Sequence, residues 1–236
     1  MNVPSRNGLR AGVVGNERLT ALAGAVVLVL AAVELITMPA LRALISVHLF
    51  VGVLLVGPVA VKTASTGWRF LRYYTRDPAY RLKGPPRPLQ RWLGPLLLAS
   101  TLVLIGSGIA LTVTGPAPST LIKVHVLSFL VWLVTVVIHL VAYLRPVPML
   151  IAADWLQVAA EPAEGLTSGR FMRVAVNVVA LLGAAIAAAF VLPAAAAWTP
   201  ALAAGELPLG LSVIAVVVIL GGVWVSIGVS AGATRE

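Results

Sequence analysis

Hydrophobic residues make up 60% of the 236 positions and charged residues 11%, with a mean hydropathy of +1.01, a balance that excludes a water-soluble globular domain and leaves a multi-span membrane protein. There is no cysteine, so disulfides, thiolate chemistry, iron–sulfur clusters and cysteine-ligated zinc are excluded within the chain. The net charge of +9 resides in loops, which makes orientation in a lipid bilayer a better account of it than a nucleic-acid partner.

Residues 1–18 are polar, carry Arg6, Arg10 and Arg18, and read as a cytoplasmic tail. Residues 19–38 then supply about twenty apolar positions, a spanning length. A signal peptide would have a core of about 7 to 15 residues with a small-residue cleavage site close behind it. Here Pro39 and Arg42 follow directly, so the segment is expected to stay in the membrane. Further spans are predicted at 44–65, 92–113, 121–144, 171–193 and 209–229. The expected fold is an all-α polytopic bundle of six transmembrane helices. A four-helix front (19–145) is joined by a loop (146–170) to an alanine-rich two-helix segment (171–236).

The basic residues choose a side. Arg69, Arg72, Arg76, Arg81, Lys83, Arg87 and Arg91 fall between the second and third spans, and Arg145, Arg170 and Arg173 follow the fourth, on the same side as the tail. Only Arg42 and Lys123 lie opposite, so both termini are expected in the cytoplasm of a bacterium, the chain crossing its inner membrane. The second and fourth spans then run in parallel. The loop 68–91 mixes aromatic with basic residues and would lie along anionic headgroups, with residues 84–88 stopping any helix. A docking surface for a redox partner is the other use of it.

The chain has three histidines, each inside an apolar run, where ionisable side chains are costly and usually functional. His125 and His139 stand fourteen positions apart on the fourth span, and His48 and Lys62 stand fourteen apart on the second. At about 1.5 Å and about 100° per residue, each pair shares one helix face at two depths roughly 21 Å apart. On the topology above, His48 and His125 share the outer level, and Lys62 and His139 the inner one.

Two imidazoles at one depth on facing helices are what a b-type haem needs for axial ligation, which makes His48 and His125 the candidate metal ligands. An interhelical hydrogen bond is the alternative for any single membrane histidine. Gly52, Gly106 and Gly108 are small residues where a flat macrocycle could approach the backbone. Glu34 falls near the depth of His48 and has three readings: it orients a ligand histidine, it carries protons for quinol oxidation, or it pairs with Arg42. Lys62 either snorkels to the near surface, neutralises a haem propionate or meets a quinone headgroup. His139 has no second histidine at its level and is expected to hydrogen-bond or handle protons.

The block LRALISVHLFVGVLLVGPVAVKTASTGWRFLRYYTRDPAYRLKGPPRPLQRWLGPLLLASTLVLIGSGIAL, followed by KVHVLSFLVWLVTVVIHL, resembles small actinobacterial-type integral membrane proteins related to cytochrome b, those with a cytochrome b/b6-like domain. The resemblance covers about residues 30–145. It implies b-type haem held between helices and electron transfer, some related sequences accompanying molybdopterin-dependent oxidoreductases. Only His48, His125 and His139 carry over as ligand candidates. A two-haem member has two histidines on each of two helices, and Lys62 stands where the fourth would be, so one haem b is expected and the second is in doubt. The function expected is an electron-transfer subunit, without a catalytic residue of its own, that works between quinol or quinone and a redox partner protein or anchors an oxidoreductase. The alternative is a cofactor-free transporter or assembly factor whose buried His and Glu handle protons or a solute.

Overall fold

The computed structural model describes residues 6–85, 88–143, 146–156 and 166–204 of the chain. Among these every regular element is helical, and four helices are long and apolar enough to cross a membrane: Gly12–Tyr74, Pro88–Thr114, Ser119–Val141 and Gly169–Ala203. The predicted sixth span, 209–229, lies outside the described residues.

The first of these is a nearly unbroken run of 63 residues containing both the first and second predicted spans. At about 1.5 Å per residue it would be roughly 95 Å long if straight, about three times the hydrocarbon thickness. It is not straight. α1 (Arg6–Thr37) ends where Pro39, which has no amide proton to continue the ladder, forces a 3-10 turn over Met38–Ala40, and Leu44 departs from helical geometry just inside α2 (Leu41–Leu54). α3 (Val56–Tyr74) continues after a break at Leu55, close to Pro58. α1 begins well before residue 19, so much of the predicted tail is helix.

The chain divides into two compact units. Among the described residues, the first comprises those within 6–31, 54–85 and 146–186, the second those within 32–53, 88–143 and 187–204. In the first unit, α1 pairs antiparallel with α3: Asn16 donates to the Ser65 carbonyl at 3.0 Å, Thr20 to the Ser65 hydroxyl at 2.8 Å, and Glu17 meets Arg69 at 3.7 Å. The short α4 (Pro78–Lys83) follows, its start satisfied by Asp77, which accepts from the Ala79 and Tyr80 amides, and its end closed by Gly84 at a φ of 79°. The predicted stop at 84–88 is therefore observed at its first residue. Lys83 returns to Glu17 at 2.8 Å, which ties α4 to α1. α7 (Pro146–Leu156) is a short helix in what the sequence reads as loop, and α8 (Leu166–Val191) comes so close to α3 that a Cβ on Gly57 would run into the Ala180 carbonyl.

In the second unit, α5 (Pro88–Thr114) and α6 (Ser119–Tyr143) pack along each other, joined by a tight turn in which Gly115 takes a φ of 68°. Leu93, Ser100 and Ser107 recur every seven residues on the buried side of α5, as Ser128 and Thr135 do on α6. Small hydroxyl residues at that spacing let two membrane helices approach closely, since the hydroxyls bond back to carbonyls of the preceding turn of the same helix. A second 3-10 turn at Leu192–Ala194, again around a proline, leads into α9 (Ala195–Ala203). Trp198 and Leu202 of α9 cover Ile45, Leu49 and Leu111.

Candidate functional site

His48 sits on α2, where the turn at Pro39 brings it back beside the last turn of α1. Glu34 Oε2 lies 2.5 Å from His48 Nδ1, and Thr37 Oγ1 lies 2.9 Å from the same nitrogen. Thr37 gives its single hydroxyl proton to the Glu34 backbone carbonyl at 2.6 Å, so it faces the imidazole as an acceptor. The carboxylate is an acceptor as well. In the neutral ring the proton must then be on Nδ1, and Nε2 keeps its lone pair. Glu34 thus takes His48 as its partner, not Arg42.

His125, on α6, reaches the same state by a different route. Its Nδ1 lies 3.1 Å from the Leu104 carbonyl and 3.0 Å from Ser107 Oγ, both on α5. A carbonyl only accepts, and Ser107 donates its own proton to Leu104 O at 3.0 Å. The His125 ring is therefore also held as the Nδ1–H tautomer with Nε2 free to donate a lone pair. Neither Nε2 makes a hydrogen bond among the described residues. Both histidines belong to the second unit.

Two of the predicted glycines lie under polar side chains. A Cβ on Gly52 would stand 3.2 Å from Glu34 Oε1, and one on Gly108 would stand 3.1 Å from His125 Cε1, so each glycine makes room for a polar side chain of the facing helix. Gly106 has open space around it. His139 stacks on Tyr143 one turn along α6, ring centroids 4.7 Å apart. Lys62 lies in the first unit, its Nζ against Gly24 of α1.

Three contributors escaped the sequence reading. Thr37 was discoverable in principle, since it stands three residues after Glu34 on the same helix face. Ser107 lies between the two glycines already singled out. Trp198, whose buried indole N–H has no acceptor among the described residues, carried no signal in a stretch that reads as a connecting loop.

Chemically, two protein nitrogens suffice only for a metal that brings its remaining ligands with it, and among the described residues no three His, Cys, Asp or Glu side chains cluster to hold a bare ion. Comparison with family models, curated proteins and solved structures finds no match.

Proposed function

We propose that this chain is an integral membrane b-type cytochrome, with His48 and His125 as axial ligands of one haem b, moving electrons between quinol or quinone and a redox partner or anchoring an oxidoreductase in the membrane. One observation carries the reading: two imidazoles on neighbouring elements of one unit both have Nδ1 tied as a donor and Nε2 left bare. That is the state an iron ligand needs, because the second nitrogen's hydrogen bond sets both tautomer and ring orientation. The donor set therefore fits the group. When bound, haem supplies one-electron chemistry. The chain's own residues do the rest: Glu34 and Thr37 hold the His48 proton at Nδ1, while Leu104 and Ser107 hold that of His125.

The resemblance of residues 30–145 to cytochrome b-related proteins supports the same reading. The loop charges support an orientation with both termini cytoplasmic in a bacterial inner membrane. His139, stacked on Tyr143, is left outside the ligand pair.

The test is the visible spectrum of the purified full chain, oxidised and then dithionite-reduced. Wild type is expected to show low-spin b-type bands at one haem per chain. His48→Ala and His125→Ala should each abolish them, and His139→Ala should keep them. An unaltered low-spin spectrum at full occupancy in either ligand variant defeats the assignment. Protein that is colourless after haem-supplemented expression favours the cofactor-free alternative, in which the Glu34–His48 pair would carry protons.

A further inference from the structure

Lys62 stands inside the span of α3, and no described residue accepts a hydrogen bond or an ion pair from its ammonium. The side chain crosses to α1, where a Cβ on Gly24 would stand 2.8 Å from Nζ and 3.7 Å from Cε. The absence of a side chain at position 24 is what lets the ammonium rest there. Snorkelling does not explain the placement. A lysine seeking water would run toward the polar end of the helix pair, marked by the Glu17–Arg69 ion pair, with Trp68 and Arg72 beside it on α3. Instead Nζ stays level with Gly24, one turn farther from that end than the Thr20–Ser65 hydrogen bond. The direction follows from helix geometry, since side chains tilt toward the N-terminus of their own helix, and for α3 that is away from Arg69.

Lys62 is seven residues from Arg69, and Gly24 is seven from Glu17, so the ammonium lies about 10 Å below the polar rim. An ionisable group at such depth normally has a partner. We propose that Lys62 and Gly24 form the polar end of a binding site for a membrane-dissolved quinone, with Nζ donating to a ring carbonyl oxygen. Depth selects the ligand class. A lipid phosphate or a fatty-acid carboxylate would have to carry its own charge about 10 Å into hydrocarbon, whereas a quinone ring is neutral and soluble there. The site itself stands on Lys62 and Gly24; only the choice of quinone among neutral carbonyl compounds rests on the proposed function.

The experiment uses the full-length protein in detergent and menadione as the probe, with binding followed by quenching of tryptophan fluorescence, Trp68 being six residues from Lys62. Wild type should bind menadione, with Lys62→Met weakening binding at least tenfold. Gly24→Ala, which pushes the ammonium aside without removing it, should weaken binding several-fold. 2-Methylnaphthalene, which has the ring system and no carbonyl, should bind wild type and Lys62→Met alike. Equal menadione affinity in wild type and Lys62→Met overturns the proposal. So does parallel loss of both probes in Lys62→Met together with unchanged affinity in Gly24→Ala. A third contrary result is a wild-type protein that ignores menadione but loses phosphatidylglycerol binding on Lys62→Met, which assigns the lysine to a lipid phosphate. Failure here with the b-type spectrum intact leaves the haem assignment standing, and quinone binding by a colourless protein does the reverse.

Discussion

Glu34 and Lys62 are both charged side chains in apolar helices, and each lies over a glycine of the facing helix, Gly52 and Gly24 respectively. They differ in what meets the charge. The Glu34 carboxylate has the His48 ring and the Thr37 hydroxyl beside it; the Lys62 ammonium has no partner among the described residues. A charge that engages a neighbouring imidazole through one oxygen, as Glu34 does through Oε2, serves to orient that ring, and a charge that engages no described residue is open to a ligand. The same local device, a glycine under a long polar side chain, therefore supports a positioning role in one unit and a binding role in the other.

Three substitutions probe that contrast. His48→Ala removes the donor from Glu34 and strands a largely buried carboxylate, which should cost about 3 kcal/mol of stability. Thermal unfolding in detergent measures the loss, and adding Glu34→Gln should recover much of it. A His48→Ala protein as stable as wild type would mean the pair is not holding the turn at Pro39. Glu34→Gln alone should be milder. The amide still accepts from Nδ1–H but without the charge, a difference of about 1 kcal/mol, or about 40 mV for a one-electron couple. For the proposed haem, a carboxylate beside His48 would make that ring a stronger donor and favour the oxidised metal, so redox titration should find the midpoint raised. A lowered or unmoved midpoint separates Glu34 from the iron. The smallest loss is expected of Lys62→Met, which breaks no interaction with a described residue and takes an ammonium out of an apolar depth, so stability should not fall. A drop of several kcal/mol there would show that Lys62 has a structural partner and would remove the contrast.

That the chain carries apolar helices of spanning length was legible because the bilayer reads only hydropathy over about twenty residues, and Pro39 and Pro193 marked helix ends because proline lacks the amide proton each next turn needs. His48, His125 and Glu34 could be picked out for a similar reason: ionisable residues are rare in apolar runs. The sequence alone also placed the stop after α4, where Gly84 adopts a conformation other residues avoid.

Only the tertiary structure decided the partners. Whether Glu34 meets His48 or Arg42 depends on the register in which α2 folds back along α1, and a shift of one residue rotates every side chain by about 100°. Ser107 reaches His125 for the same reason, through the seven-residue spacing that lets α5 and α6 come close. α9 falls between the predicted spans 171–193 and 209–229 and reads as a connection until Trp198 is seen covering Ile45 and Leu111. The tautomers of both candidate ligands were likewise out of reach of one-dimensional reasoning, because they depend on which neighbouring oxygens have already given their protons away. Hydropathy is a property of each residue in turn and survives being read along the chain, whereas hydrogen-bond polarity belongs to pairs that only the packing of helices brings together.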